Sequence, residues 1–352
     1  MTEAEQGFWR GLKRPIVALA PMDGVTDAAF RYIVDIYGKP SILFTEFTSV
    51  EGIVRGAWQL LQSFIYHKTS TPTVAQIFGK EPEAFYKTAI LLAEMGFDGI
   101  DINMGCPDKN VARHGGGAAL ILKPQLAKEI ICSVKKGLHD WSEGKKVEDL
   151  QLPLTITDWV EDFKKKHKIM VERRLLPTSV KTRIGYDKIV TVEWIKSLLE
   201  AEPVNITIHG RTLKQLYSGL ADWEEIGKAA EVINQTQTSV LGNGDIQNYD
   251  EALQKIKQYH LDGVLIGRSS FGNPWIFKNE TPSIKQRLEA AIEHIRAFER
   301  LTPTLHFLSL RKHMAWYCKG FDNAVVLRKQ LMTANTPQEA VLTIQNYMTA
   351  KL

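Results

Sequence analysis

The sequence alternates between two kinds of segment for most of its length. Short apolar runs are each followed by a longer segment whose apolar residues recur at spacings of three and four. Apolar strands alternating with amphipathic helices are typical of a parallel sheet covered by helices. The eight predicted strands are PIVALAPM (15–22), ILFTEFT (42–48), TVAQIFG (73–79), GIDINMG (99–105), TSVKTRIG (178–185), NITIHG (205–210), SVLGNGD (239–245) and GVLIGR (263–268).

The predicted helices between these strands include DAAFRYIVDIYG, EAFYKTAILLAEMG, QLAKEIICSVKKGL, VEWIKSLLEA, EEIGKAAEVI and YDEALQKIKQ. Polar and glycine residues come directly after several strands, as at Gly105-Cys106 and Gly267-Arg268. A (β/α)₈ barrel assembles its chemistry at the carboxyl ends of its strands, whereas an open doubly wound sheet concentrates its site at one switch point. We therefore predict an α/β fold of the (β/α)₈ TIM-barrel type.

Two segments do not fit this repeat. Residues 139–177 contain a predicted helix in TDWVEDFKKKHKIM and carry eight charges of each sign. They join a helix to the next strand, so we expect them on the barrel face opposite the chemistry. After Trp275 only helical patterns follow, in IKQRLEAAIEHIRAFERL, SLRKHMAWYCKGF, NAVVLRKQLMTA and TPQEAVLTIQNYMTA. The predicted domains are a barrel over 1–280 and an all-α helical bundle over 281–352.

Composition excludes several classes of protein. The sequence has no apolar stretch approaching the roughly 18 residues that a membrane helix needs, and its first residues lack the apolar core of a signal peptide. We therefore expect a cytoplasmic location. The three cysteines, Cys106, Cys132 and Cys318, lie far apart with no CxxC pair, so neither a disulfide framework nor a metal site is predicted.

The positive charge is concentrated in the predicted bundle. The whole chain carries +4, and residues 281–352 carry +5 from ten Lys and Arg against five Asp and Glu, so the first 280 residues carry −1. A basic accessory domain beside a near-neutral one indicates a polyanionic partner. On charge alone, a solvated helical surface explains the excess equally well.

Residues after the last two predicted strands indicate a phosphate site. Gly242 to Asp245 follows the seventh strand and Gly267-Arg268 the eighth, where barrels commonly bind phosphate. Glycines allow backbone N–H groups to approach phosphate oxygens, and Arg268 adds a fixed charge. The alternative is a pair of glycine turns with a structural arginine.

Three further polar residues lie on strands. Lys181 and Arg183 share a face of the fifth strand because they are two residues apart. An outward direction would place two charges against the helix layer, so we expect both to point into the barrel. His209 ends the sixth strand, where a histidine is either structural or part of the site.

Cys106 differs from the other two cysteines. It lies in a loop between Gly105 and Pro107, shortly before the three glycines 115–117, so the loop could move over a pocket. For Cys132, on a predicted helix, and for Cys318 we expect the ordinary role of a small buried hydrophobic residue.

Taken together, these motifs resemble those of the tRNA-dihydrouridine synthase family. The segments ALAPMDGVTD, NMGCPDKNVARHGGGAAL, VKTRIG, ITIHGRT, LGNGDI and IGRSSFGNPWIF match the family in order, spacing and strand placement from about residue 15 to 277. The helices that follow are similar to the RNA-binding domain of that family. The resemblance implies an oxidoreductase acting on a CH–CH group that reduces a uridine of tRNA with FMN and with NADPH or NADH, and we expect a monomer.

The resemblance also implies roles for particular residues. Those expected to contact FMN are Pro21, Met22, Gln76, Lys181, His209, Asn243, Gly244, Asp245, Gly267 and Arg268. Asn103 and Arg183 would bind the target uracil, Tyr217 would shape its pocket, and Cys106 would be the general acid. The segment 139–177 departs from the family's usual short connection, and its role is open.

The chemistry of uracil reduction agrees with this assignment. A hydride must reach C6 and a proton must reach C5; flavin supplies the hydride and the protein supplies an acid. A thiol with a pKa of about 8.5 is mostly protonated at neutral pH. The alternatives are an FMN barrel acting on a free small molecule, as dihydroorotate dehydrogenases and ene-reductases do, a non-catalytic RNA-binding protein, and a flavin-free lyase or isomerase.

Overall fold

A computed structural model describes residues 1–113, 115–216 and 218–351. Eight parallel strands run in the order β1-β8-β7-β6-β5-β4-β3-β2. Backbone hydrogen bonds from Leu19 N to Ile42 O and from Ser41 N to Val17 O join β1 to β2 and close the barrel. The strands are β1 (Ile16–Leu19), β2 (Leu43–Ser49), β3 (Thr73–Phe78), β4 (Gly99–Met104), β5 (Thr178–Gly185), β6 (Asn205–Thr212), β7 (Ser239–Asn243) and β8 (Gly263–Ile266). The predicted barrel is confirmed.

Helices surround the barrel and continue beyond it. Several begin at capping side chains: Asp27 accepts from Phe30 N, and Ser283 forms a capping box with Gln286. The α-helices are α1 (Glu3–Gln6), α2 (Ala28–Gly38), α3 (Val50–Val54), α4 (Pro82–Glu94), α5 (Lys109–Arg113), α6 (Pro124–Ser142), α7 (Leu154–His167), α8 (Thr191–Leu199), α9 (Trp223–Ile233), α10 (Tyr249–Gln258), α11 (Ile284–Leu301), α12 (Arg311–Tyr317), α13 (Ala324–Thr333) and α14 (Pro337–Lys351).

The barrel interior has an apolar side and a polar side. Alternate residues of a strand point in opposite directions, and the outward ones pack under the helices. The apolar side is formed by inward residues of β7, β8, β1 and β2, namely Leu241, Leu265, Ile16, Ala18 and Phe44, and the N-terminal Trp9 packs with them. Inward residues of β4 to β6 are polar from bottom to top, as Asp101, Ser179 and Thr207 illustrate. The site is therefore built on the polar side.

The segment 139–177 carries α7 along the outside of the barrel. Phe163 packs beside Tyr66, and Lys164 Nζ donates to Glu94 Oε1 at 2.5 Å at the end of α4. At the start of α7, Thr155 Oγ1 donates to Gly56 O, just beyond α3. These contacts tie the segment to the flank of the barrel near β2 and β3. Its expected position on the face opposite the chemistry stays a prediction.

The C-terminal helices form a second apolar cluster that includes Ala28 and Ala29 of α2. They also contact the loops that follow β1 and β8. Lys312 Nζ donates to Gly24 O after β1, and the ring of Trp316 stacks on Phe271 after β8 with centroids 3.9 Å apart. The C-terminal helices therefore border the end of the barrel where the strands terminate.

Candidate active site

The predicted site residues on strands meet through the register of the sheet. Asn103 pairs with Lys181 across β4 and β5, Arg183 with His209 across β5 and β6, and His209 with Asn243 across β6 and β7. Gln76 on β3 lies beside them, because Asn103 Nδ2 donates to Gln76 Oε1 at 3.0 Å. These side chains thus form one continuous row, and the inward direction predicted for Lys181 and Arg183 follows from the outward packing of Val180 and Ile184.

Two arginines and one carboxylate form the end of the row after β7 and β8. Arg211 Nη2 contacts Asp245 Oδ2 at 2.5 Å, and Arg268 Nη2 contacts Asp245 Oδ1 at 2.7 Å. Ala221 N also donates to Asp245. Burial opposes ionisation of Asp245, but the Ala221 N–H and both guanidinium groups outweigh it and lower the pKa of this carboxyl. Asp245 is therefore an anion that holds two cations at this end.

Glycines open the backbone at the same end. Gly244 has φ +138, a conformation that favours glycine, and a Cβ there would lie 2.5 Å from Ala221 Cβ. A Cβ on Gly267 would lie 3.4 Å from Met22 Sδ, so Met22 of the loop after β1 faces this position. Pro21 and Met22 are partly buried at the barrel mouth. The phosphate site expected beside Arg268 stays a prediction.

His209 is neutral in this environment. Burial, reinforced by the charges of Arg183, Lys181, Arg211 and Arg268, holds its pKa well below the usual range. Its Nε2 lies 3.3 Å from Arg211 Nη1. Since a guanidinium only donates hydrogen bonds, Nε2 is the acceptor and the ring proton is on Nδ1.

Lys181 and Arg183 supply positive charge to the middle of the row. Burial and the neighbouring Arg183 lower the pKa of Lys181 to about 8, and the nearby Asp101 and Cys106 partly oppose this shift. Lys181 is therefore still mostly protonated at neutral pH. Arg183 Nε donates to Gly105 O at 2.6 Å and its Nη1 to Thr212 O at 3.2 Å. Arg183 thus braces the loop just before Cys106.

The loop after β4 presents Cys106 next to Asn103. Both Gly105 N and Cys106 N donate to Asn103 Oδ1, at 3.0 and 2.8 Å. Burial, together with Asp108 and Asp23, raises the pKa of the Cys106 thiol, although Asp108 N–H and Arg183 partly oppose the shift. The thiol is protonated at neutral pH, as a proton donor must be.

The predictions for Cys132, Cys318 and Tyr217 have different outcomes. The prediction for Cys132 is wrong: its side chain is exposed, because the buried stripe of α6 passes through Ile131 and Val134 and leaves Cys132 about 100° away. Cys318 is buried, as predicted. Tyr217, the third residue expected at the uracil, lies outside the described residues, and its role stays a prediction.

Sequence reasoning missed two residues of this region. Arg211 was not assigned to the site, and Asp101 was treated only as part of a strand. Both could have been found by strand periodicity, because Arg211 is two residues after His209 and Asp101 two residues before Asn103. The structure shows both to be buried and hydrogen-bonded within the row.

The described residues contain neither a metal-binding cluster nor a membrane-spanning helix. Within 1–113, 115–216 and 218–351, no group of three or more His, Cys, Asp or Glu side chains is arranged to hold a metal ion. None of the helices in the same ranges is long and apolar enough to cross a membrane.

Comparison with known proteins identifies the family. The family model described as dihydrouridine synthase (Dus) matches residues 18–141 and 150–351, so the interval between the two matched ranges falls within the segment 139–177. A Staphylococcus aureus (strain MRSA252) protein named "Probable tRNA-dihydrouridine synthase" is 35% identical over 345 residues, which cover 96% of this chain and 94% of that protein. "Probable tRNA-dihydrouridine synthase 2" of Bacillus subtilis (strain 168) is 33% identical over 343 residues, covering 95% and 94%.

The chain also matches a solved structure at low sequence identity. A crystal structure of DHODH from Eimeria tenella in complex with ferulenol is 12% identical, with a TM-score of 0.40, and the match covers 72% of this chain and 64% of that one. The match to the family model and the two relatives confirms the family indicated by the motifs. The chain belongs to the dihydrouridine synthase family of flavin-dependent oxidoreductases.

Proposed function

We propose that this protein reduces one uridine of a tRNA to 5,6-dihydrouridine, with FMN as its flavin and NADPH as the reductant. Family membership supports the reaction, and the names of the relatives support the tRNA substrate. The observation that carries the proposal is Cys106 at one end of a row of polar side chains: its backbone N–H donates to Asn103 Oδ1, and its thiol is protonated. Cytoplasmic location and a monomeric state are part of the same proposal.

The residues present fit FMN rather than an uncharged flavin. Arg268 is 59% exposed on its side chain and lies beside Gly267. Arg211 is nearly buried, and its Nε has no hydrogen-bond partner among the residues that the structure describes. A phosphate at this end would accept from Arg268 and from backbone N–H groups near the glycines. Asp245 is itself an anion, so we assign it the role of holding the arginines rather than contacting the phosphate.

The middle of the row fits an electron-rich ring system. When bound, the flavin supplies the hydride for uracil C6. Gln76, Lys181 and His209 would hold the flavin by hydrogen bonds from their side chains. Lys181 would place a positive charge close to the negative charge that develops during reduction. A charge that is already in position stabilises the transition state strongly in a buried site.

Cys106 and Asn103 would act on the substrate. Saturating the C5–C6 bond after hydride arrives at C6 requires a proton at C5, and the thiol of Cys106 would donate that proton from the opposite face of the ring. Asn103 and Arg183 would hydrogen-bond the uracil edge and orient C5 toward the thiol. Arg183 would also keep the Cys106 loop in place through Gly105 O.

The substitution Cys106→Ala tests this assignment. We expect the flavin to stay bound, because Cys106 lies at the opposite end of the row from Arg268, and turnover to fall by about 10²–10⁴-fold through loss of the acid. The measurement is dihydrouridine formation on tRNA by nucleoside mass spectrometry, with flavin absorbance near 450 nm as the control for loading. Full turnover by Cys106→Ala would remove Cys106 from the mechanism.

The C-terminal helices would bind the tRNA. Arg328 and Lys329 are exposed on α13, in the segment that carries the positive charge of the chain. We expect Arg328→Glu/Lys329→Glu to weaken tRNA binding by at least about tenfold and to reduce its salt dependence, because each phosphate contact releases counterions. The matched control is Lys165→Glu/Lys166→Glu, the same charge change on exposed α7. Equal losses in both variants would contradict the assignment.

A further inference from the structure

A continuous line of hydrogen bonds runs beneath the site to the backbone of Cys106. Ser179 Oγ donates to Asp101 Oδ1 at 2.6 Å, and Gln76 Nε2 donates to Asp101 Oδ2 at 2.6 Å. Asn103 Nδ2 then donates to Gln76 Oε1, and Asn103 Oδ1 accepts from the two backbone N–H groups of Gly105 and Cys106. The line joins three strands and ends at the residue proposed to donate the proton.

The carboxylate sets the direction of every bond in this line. An ionised carboxylate only accepts hydrogen bonds, so Gln76 must turn its NH₂ group toward Asp101 and its oxygen toward Asn103. Asn103 must then turn its own oxygen toward the loop, where it meets two N–H donors. A reversed Gln76 amide would face Asn103 with donor against donor.

Burial makes this line difficult to replace. Asp101 and Gln76 are 0% exposed and Ser179 is 1% exposed, so bulk water cannot take over a lost partner. Burial raises the pKa of Asp101 to about 6, but Ser179, Gln76 and the charge of Lys181 limit the shift and keep the carboxyl mostly ionised at neutral pH.

We propose that Asp101 is a positioning residue for the reaction, which fixes the amide orientations of Gln76 and Asn103 and through them the loop that presents Cys106. Asp101 itself lies below the row and does not touch the substrate. The expected effect on turnover rests on the proposed function. The effect on the Cys106 loop does not, because it can be measured without turnover.

The test compares Asp101→Leu with Asp101→Asn in the full-length flavin-loaded protein. The leucine removes the acceptor and leaves Gln76 Nε2 unpaired. The asparagine can still accept from Gln76 through Oδ1 while its NH₂ group donates to Ser179 Oγ, so it preserves the direction of the line. The first readout is the rate at which iodoacetamide alkylates Cys106, followed by mass spectrometry of the peptide that contains it.

We expect Asp101→Leu to accelerate alkylation of Cys106 by about tenfold, because the loop loses the support of a buried hydrogen bond. Asp101→Asn should alkylate at the wild-type rate. Val180→Ala, which removes buried volume from the outward face of β5, controls for general destabilisation and should leave Cys106 alkylation unchanged at temperatures well below its Tm. Gln76→Leu cuts the same line one bond later and should reproduce the effect if Asp101→Leu does not fold.

Turnover gives the second readout. We expect Asp101→Leu to reduce dihydrouridine formation by about tenfold or more and Asp101→Asn to restore most of it. Equal alkylation rates in wild type, Asp101→Leu and Gln76→Leu would overturn the inference, as would acceleration in Val180→Ala to the same degree. Failure of the wild-type protein to form dihydrouridine would instead contradict the proposed function, and the alkylation results would still decide the role of Asp101.

Discussion

The two ends of the site are each organised by a buried or nearly buried carboxylate, but with different neighbours. Asp245 lies between two guanidinium groups at the end near β7 and β8. Asp101 lies between a hydroxyl and a neutral amide at the end near β3 and β4. Asp245 therefore orients charged side chains, whereas Asp101 orients uncharged ones.

This difference agrees with the chemistry proposed for each end. A phosphate needs fixed positive charge, and Asp245 can hold Arg211 and Arg268 in place without neutralising both. A thiol that donates a proton must stay protonated, and a cation paired with its sulfur would lower its pKa. A neutral asparagine positions the loop instead. One carboxylate thus keeps positive charge in place for a phosphate, and the other positions an uncharged proton donor through neutral amides.

Removing Asp245 should have the largest effect on stability. Asp245→Ala leaves the nearly buried Arg211 without its anion, and we expect the free energy of unfolding of the flavin-free protein to fall by about 3 kcal/mol. Equilibrium denaturation measures this loss. Excess inorganic phosphate should recover part of it, because phosphate supplies the missing anion.

The matched control is Asp187→Ala, which removes an exposed carboxylate 3.6 Å from Lys214 and should cost about 0.5 kcal/mol or less. If Asp245→Ala costs no more than this control, then Asp245 does not organise the arginines.

A third buried polar region differs from both ends of the site, because no described carboxylate shifts the pKa of its two histidines. His294 on α11 and His313 on α12 lie with ring centroids 5.1 Å apart, and each has a buried ring nitrogen that finds no hydrogen-bond partner in the described part of the chain. Burial lowers the pKa of His294 to about 3, and burial with the nearby His294 and Lys312 holds that of His313 well below its usual range. Both histidines are therefore neutral in the folded protein.

The sign of the pH effect follows from these shifts. The unfolded chain takes up protons on both histidines below about pH 6.5 and the folded chain does not, so stability is present above that pH and is lost as the pH falls. We expect a loss of about 2–3 kcal/mol between pH 7 and pH 5.5, roughly half from each histidine. Denaturation of wild type and of a His294→Leu/His313→Leu variant across this range measures it; equal slopes in the two proteins would show that the histidines do not contribute.

The smallest effect is expected from Arg268→Lys. The side chain is exposed, so stability should hardly change, but lysine lacks the planar pair of donors that binds a phosphate. We expect FMN affinity to fall by about tenfold or less. Quenching of flavin fluorescence measures it, with Arg174→Lys as control, since Arg174 is 56% exposed and pairs with Asp98 at 3.1 Å. Unchanged affinity would place the phosphate elsewhere.

The sequence predicted the barrel well because each strand and helix has its own periodic signal. All eight strands appear within a few residues of their predicted positions, and α10 and α11 have the predicted bounds. Strand periodicity also gave the inward direction of Lys181 and Arg183. It did not give the hydrogen-bond partners of Asp245 or Asp101. Those partners lie on neighbouring strands, and which residues meet across strands is set by the register of the sheet. Cys132 was misjudged because one position along a helix turns a side chain by about 100°.

We propose that this chain makes dihydrouridine in tRNA with Cys106 as the acid. The most direct measurement is nucleoside mass spectrometry of tRNA lacking dihydrouridine after incubation with purified protein, FMN and NADPH. We predict that wild type forms dihydrouridine at a defined tRNA position and that Cys106→Ala, with flavin bound, forms at least about 10²-fold less in the same time. Unmodified tRNA after reaction with flavin-loaded wild-type protein would contradict the account.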